Sequence, residues 1–156
     1  MDLKSEYKSK LLSAIPVVSA MEVDITEIGL RELTLTAPLN TNINYEGTAF
    51  GGSLNTLCIL SGYLLVHHTM HSEQMHIDSL VIQDSQIKYQ GPVNDNFYAT
   101  ARVEQADRDK FLTMLKRKGT GRIKIYSSVK TGSEEGLVSF SARFVASSSS
   151  TDSVSS

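Results

Sequence analysis

Between Asn44 and Ser53 the chain reads Asn-Tyr-Glu-Gly-Thr-Ala-Phe-Gly-Gly-Ser and then enters an apolar run. Paired glycines at a helix start leave backbone N–H groups without intrahelical acceptors, and the helix dipole adds to their pull on negative charge. Gly51 and Gly52 are therefore candidates to hold a developing oxyanion, and without side chains they let a carbonyl approach closely. Asn44 carries an amide that both donates and accepts. Glu46 is the only carboxylate within the loop, which makes it the local candidate for a general base. Each residue also has a plainer reading: a tight glycine turn, a turn asparagine near Asn40 and Asn42, and a solvated glutamate.

Other reactive groups lack company. Cys58 and Ser61 would serve as nucleophiles only with a base beside them, and no histidine is near in sequence, so packing is the simpler expectation for Cys58. Asp84 follows Leu80-Val81-Ile82 in a strand-like segment, where an unpaired buried charge is costly; it either has a partner or faces solvent. His67 and His71 have the i, i+4 spacing that can seat a metal, with His68 and His76 close by. The remaining ligands of such a site are missing, so no metal is expected.

The elements that must position these groups follow from periodicity. Leu3, Tyr7, Leu11 and Ala14 recur at helical spacing over Leu3 to Ile15, and Pro16 ends that helix. From Val17 onward the chain reads as extended, with Val23 and Ile25 in one strand, a turn at Gly29, and Leu33, Leu35, Ala37 and Leu39 in the next. A helix is expected from about Gly52 to His71. Its apolar residues lie around much of the circumference, so other elements must wrap it. Ile77 to Tyr89, Phe97 to Gln105, Arg122 to Lys130 and Leu137 to Val145 read as strands, and Asp109 to Lys118 as a short helix. About six strands with one apolar helix predict an α+β fold in which an antiparallel sheet wraps a long central helix.

The single expected domain covers residues 1–146. Residues 147–156 contain seven serines, cannot offset their ordering entropy by burial, and are expected to be disordered. With 15 basic and 17 acidic side chains the formal charge is -2, which disfavours nucleic acid and anionic membranes as partners. The single Cys58 and the charged first residues point to a reducing, cytoplasmic setting. The apolar run Leu54 to Val66 is too short to span a bilayer.

The Asn44 to Leu54 segment, placed after paired strands and ahead of a buried helix, resembles the signature loop of hot-dog fold thioesterases. Ile87-Lys88-Tyr89-Gln90-Gly91-Pro92-Val93 is similar to the strand and turn that follow that helix in the same superfamily. Within the superfamily, Gly47 to Ser53 together with Ile15-Pro16 is most similar to the thioesterase domain of the YiiD C-terminal type.

That resemblance implies a hot-dog fold, a homodimer that can pair again into a dimer of dimers, and hydrolysis of an acyl-CoA or acyl-carrier thioester without a cofactor. It implies catalytic roles for Asn44, Glu46, Gly51 and Gly52. Thr48, Phe50, Asn55, Asp84, Ser85 and Tyr89 are the residues expected to meet substrate. The basic residues Lys110, Lys116, Arg117, Lys118, Arg122 and Lys124 are either a solvated face or a contact for coenzyme A phosphates. Many members of the superfamily carry histidine where this chain has Glu46 or Phe50, and a carboxylate inside the helix where it has Cys58 and Ile59. The alternative function is a non-catalytic acyl-CoA or acyl-chain binding module on the same fold.

Overall fold

The computed structural model describes residues 2–149. The first helix, α1 (Leu3–Ala14), is capped by the Asp2 carboxylate, which accepts from Ser5 N at 2.8 Å, the usual way to satisfy an orphan N–H. Pro16 ends it, as expected, but the next residues are not extended. Pro16–Met21 forms a 3₁₀ helix with proline in its first turn, closed by Glu22 in the left-handed region at φ 55, and the strand begins only after that reversal.

Strands β1 (Asp24–Ile28) and β2 (Glu32–Ala37) pair antiparallel. The long helix α2 (Gly51–Ser72) follows, then β3 (Ser79–Tyr89), β4 (Phe97–Arg102), α3 (Gln105–Lys118), β5 (Thr120–Lys130) and β6 (Val138–Ser147). The six strands make one sheet in the order β1-β2-β4-β5-β6-β3, every pair antiparallel. Helix α2 lies against β2, β4, β5, β6 and β3, which is the wrapped-helix hot-dog architecture.

Alternation in β5 and β6 sorts the sheet's faces. Ile123, Ile125, Val129, Val138, Phe140, Ala142 and Phe144 are buried toward α2, while their neighbours face outward. Gly62 marks the closest approach of helix and sheet: a Cβ there would meet the Phe144 ring at 2.9 Å and Ile125 Cγ2 at 3.4 Å. Only glycine fits that spacing without a shift.

Most boundaries shift by a few residues from those read in the sequence, and two of the shifts have a clear cause. Helix α3 starts at Gln105, earlier than Asp109, because Glu104 adopts an extended cap conformation and its carbonyl accepts from Arg108 N at 2.9 Å. The disorder expected from residue 147 does not hold for the residues described there. Ser147 pairs with Ser79 and Thr120 in the sheet, and Ser148 N donates to Gly119 O at 2.9 Å; the rest of that segment, from residue 150, lies outside the described residues.

Strand β3 is an 11-residue edge bonded only to β6 among the described residues, and Val81 and Ile82 on it are exposed. No helix of the described residues is long and apolar enough to cross a membrane.

Candidate functional site

The loop before α2 is a miniature hairpin. Ile43 bridges Ala49, Asn44 N donates to Thr48 O at 2.8 Å, and Gly47 N donates to Asn44 O at 3.2 Å. The turn Asn44-Tyr45-Glu46-Gly47 has asparagine first and glycine last, with Gly47 at φ 80, a conformation glycine adopts without steric cost.

Asn44 holds this turn from within. Its Oδ1 accepts from Glu46 N at 2.9 Å and Thr48 N at 3.1 Å, and its Nδ2 donates to Thr48 Oγ1 at 2.8 Å and Ala49 O at 3.3 Å. Both oxygen lone pairs and both N–H bonds are thereby used. The amide for which the resemblance implies a catalytic role thus builds the loop, and the hydroxyl of Thr48, expected against substrate, accepts within the same network. Deeper down, the Asn42 amide donates to Met21 O at 3.0 Å and Pro38 O at 2.8 Å, anchoring the loop to the body of the fold.

The loop is tied to its surroundings by Phe50 N donating to Asn42 O at 2.7 Å and Ala49 N donating to Val93 O at 2.8 Å. Phe50 is the N-cap of α2, extended at φ -63 and ψ 130, and no side chain caps the helix. The first helical bond runs from Leu54 N to Phe50 O at 3.1 Å. The N–H groups of Gly51, Gly52 and Ser53 have no acceptor among the described residues, so three adjacent donors stand at the positive end of a 22-residue helix. Beside them lies a cavity of about 400 Å³ bordered by Gly51, Gly52, Leu54, Tyr89, Pro92 and Val93.

Tyr89, from the end of β3, closes one wall. Its hydroxyl donates to Gly51 O at 2.9 Å, and its ring lies 3.4–3.5 Å from where a Gly51 Cβ would be. The Phe50 ring covers Gly52 in the same way: a Cβ there would meet Phe50 Cζ at 2.8 Å. Phe50 and Tyr45 are themselves exposed, Tyr45 completely, and Glu46 at the hairpin tip has no ion pair among the described residues.

The β3–β6 register separates the remaining candidates. A bulge between Ile82 and Asp84 puts Ser85 opposite buried Ala142 and Asp84 opposite outward Arg143. Leu80, Ile82, Ser85, Ile87 and Tyr89 therefore share the helix-side face, whereas Asp84 projects to the far side, 3.7 Å from Arg143 Nη1. Asp84, expected to meet substrate or else to have a partner or face solvent, lies on the side away from α2 because the bulge shifts the alternation by one residue. Asn55, one turn into α2 from Gly51, has its Oδ1 enclosed without a partner.

The half-buried stripe of α2 continues as Asn55, Thr56, Ile59 and Tyr63, with Ile59, Tyr63 and Ile87 partly buried against the core. This stripe could not be read from the sequence, because α2 is apolar nearly all round and only the fold shows which side is less covered.

Cys58 is buried, and burial pushes its thiol up to about 12; Ser61 Oγ is engaged with Cys58 O at 2.8 Å and Ser127 Oγ at 2.9 Å. Neither is an activated nucleophile. At the other end of α2 the rings of His67 and His71 stack 6.3 Å apart, while Tyr7 Oη shares a 2.8 Å hydrogen bond with His68 Nδ1. Among the described residues no cluster suited to a metal ion is present.

A family described as "Putative thioesterase (yiiD_Cterm)" matches residues 4–148. The fold is also similar to that of solved structures. A protein of unknown function from Chlorobaculum tepidum TLS is 23% identical with TM-score 0.86, over 94% of this chain and 95% of that one. A protein described as the "putative thioesterase from Shewanella oneidensis" is 25% identical with TM-score 0.83, over 93% and 97%. A Pseudomonas aeruginosa protein described as a "Probable Thioesterase" is 18% identical with TM-score 0.79, over 96% and 99%. No curated protein matches the chain.

Proposed function

Because the chain belongs to the family described as "Putative thioesterase (yiiD_Cterm)", we propose that it hydrolyses acyl thioesters of coenzyme A or an acyl carrier, with the Gly51 and Gly52 N–H groups as its oxyanion hole. The observation that carries this reading is the row of unbonded donors at the α2 start, open to an adjoining cavity. A thioester carbonyl placed there is polarised before attack. When water adds to the carbonyl carbon, the C=O π electrons move to oxygen and the new charge falls on donors already oriented toward it. Collapse of the tetrahedral species breaks the C–S bond, leaving a carboxylic acid and a thiolate that takes up the proton lost by water.

Glu46 is the proposed base, since it is the carboxylate carried on the loop and none of its oxygens is committed to an ion pair among the described residues. Asn44 supports both parts by holding the hairpin that presents Glu46 and leads into Gly51. The acyl chain runs along the α2 stripe past Ile59 and Tyr63.

The working unit in this proposal is a homodimer joined through β3. A long strand edge with exposed Val81 and Ile82 invites pairing with a second copy. Antiparallel pairing would roof the open side of the acyl path.

One observation favours the second reading, an acyl-binding module: the half-buried stripe of α2 carries Asn55 and Ile59 and no carboxylate. A panel of short, medium and long acyl-CoA esters, followed by thiol release, separates the two. Turnover that Glu46→Gln removes while binding persists supports the enzyme. Saturable binding with no thiol release at any chain length establishes the module.

A further inference from the structure

The peptide unit between Gly51 and Gly52 carries a group at each end. Its N–H, on Gly52, is one of the open donors at the helix mouth. Its C=O, on Gly51, accepts from the Tyr89 hydroxyl at 2.9 Å. Tyr89 thus reaches the proposed oxyanion hole from behind, through one planar amide.

The carbonyl does not need that bond to be satisfied. Gly51 is the first residue of α2, so its oxygen already takes the helical N–H of Asn55. Burial does not force the phenol there either, since Tyr89 is 52% exposed and water could serve its hydroxyl. Yet the end of β3 is held in place for this contact. Tyr89 stands opposite Val138 in the ladder, and Gln90 N donates to Leu137 O at 2.9 Å. In the turn that follows, Val93 O accepts from Ala49 N at 2.8 Å. One short segment therefore grips the chain on both sides of the N-cap residue Phe50, and the Tyr89 ring lies 3.4 Å from the position of a Gly51 Cβ.

We infer that Tyr89 is a positioning residue for the oxyanion hole: its hydroxyl, bonded to Gly51 O, polarises the Gly51–Gly52 peptide, fixes its plane and so strengthens the Gly52 N–H as a donor. The inference deepens the thioester hydrolysis proposed above and rests on it. A donor at the oxygen draws electron density along the amide, raises the double-bond character of C–N and leaves the nitrogen and its proton more positive. The strengthened N–H meets charge that grows only as water adds, so the gain falls on the transition state more than on the bound ester. Hydrogen bonds in a chain strengthen one another by about 10–30% per bond. Applied to the roughly 10²–10³-fold in rate that one oxyanion donor supplies, this gives a factor of about two to eight.

Tyr89→Phe keeps the ring against Gly51 and removes only the hydroxyl. In the full-length chain, acyl-CoA turnover should show kcat lower by about two- to eightfold, with KM and Tm unchanged. In nuclear magnetic resonance spectra of the isotope-labelled protein without substrate, the Gly52 amide proton and the Gly51 carbonyl carbon should both move upfield. Fluorinated tyrosines placed at position 89, whose hydroxyls donate more strongly, should move both signals the other way. They should also raise kcat in order of hydroxyl acidity, at a pH where the hydroxyl stays protonated; a side chain that only fills space gives no such order. Parental kcat in a folded Tyr89→Phe protein overturns the inference, as does a Gly52 amide signal that ignores the hydroxyl. A raised KM at parental kcat overturns it in favour of a plain substrate contact. A fall of about 10²-fold or more overturns it in the other direction, putting the hydroxyl on the reacting oxygen itself. If the parent protein cleaves no thioester, the catalytic reading fails, while signals that follow the hydroxyl's acidity still uphold Tyr89 as the group that polarises the peptide.

Discussion

Replacing Gly51 by proline deletes one N–H and leaves its neighbours in place. Position 51 is the first residue of α2, where proline is favoured because the missing N–H has no intrahelical acceptor and its fixed φ suits a helix start. The preceding residue, Phe50, already has the extended backbone, φ -63 and ψ 130, that a residue before proline requires. The new Cβ would lie 3.4 Å from the Tyr89 ring, in ordinary contact. Stability should therefore hold or rise by about 0.4–1 kcal/mol through a less free unfolded chain, a Tm change of roughly 1–4 °C. If the Gly51 N–H stabilises the oxyanion, kcat should fall about 10²–10³-fold, the range for losing one such donor. Gly51→Ala, which keeps the N–H, should stay within a few-fold of the parent. Thiol release from acyl-CoA and thermal melts monitored by circular dichroism read both quantities. A folded Gly51→Pro protein with parental kcat would refute the oxyanion assignment.

Asn44→Ala removes four contacts within the loop and should cost on the order of 2 kcal/mol, with Tm and kcat falling together; loss of kcat at constant Tm would return Asn44 to a direct role. Ile82→Lys on the β3 edge should yield monomers by light scattering, whereas a parent protein that is itself monomeric disproves the pairing. Burial, followed by His71, holds His67 and His68 below the usual 6.5. Lys10 opposes protonation of His67 and Arg108 that of His68, while Glu6 favours it at His67. The unfolded chain then takes up these protons first, so Tm should decline as pH falls below about 6.5, and a His67→Gln/His68→Asn variant should show a flatter profile. An unchanged slope would exclude these rings as the cause.

Much of the helix mouth was legible beforehand because its cues are local. A glycine pair ahead of an apolar helix announces free N–H groups wherever the chain goes next, and Asn-x-x-Gly is a turn signal that needs no tertiary partner. The side chains beyond the glycines were harder to read. Asn44 looks equally suited to holding a turn or a water molecule, and only the positions of Thr48 and Ala49 show its amide fully used. Asp84 and Ser85 could not be told apart without the bulge after Ile82, which reverses which of them faces the helix. The contact of Tyr89 with Gly51, 38 residues away, has no trace in local pattern.

By itself the sequence determined the long helix α2, most of the strands, that α2 must be enclosed, and that its start carries unpaired donors, since periodicity, proline and glycine act over a few residues. Tertiary structure alone decided which face of each strand the candidates occupy and that Cys58 is sealed in the core. The physical reason is that register and burial depend on pairings between residues far apart in the chain, where a one-residue shift moves a side chain from one face of the sheet to the other.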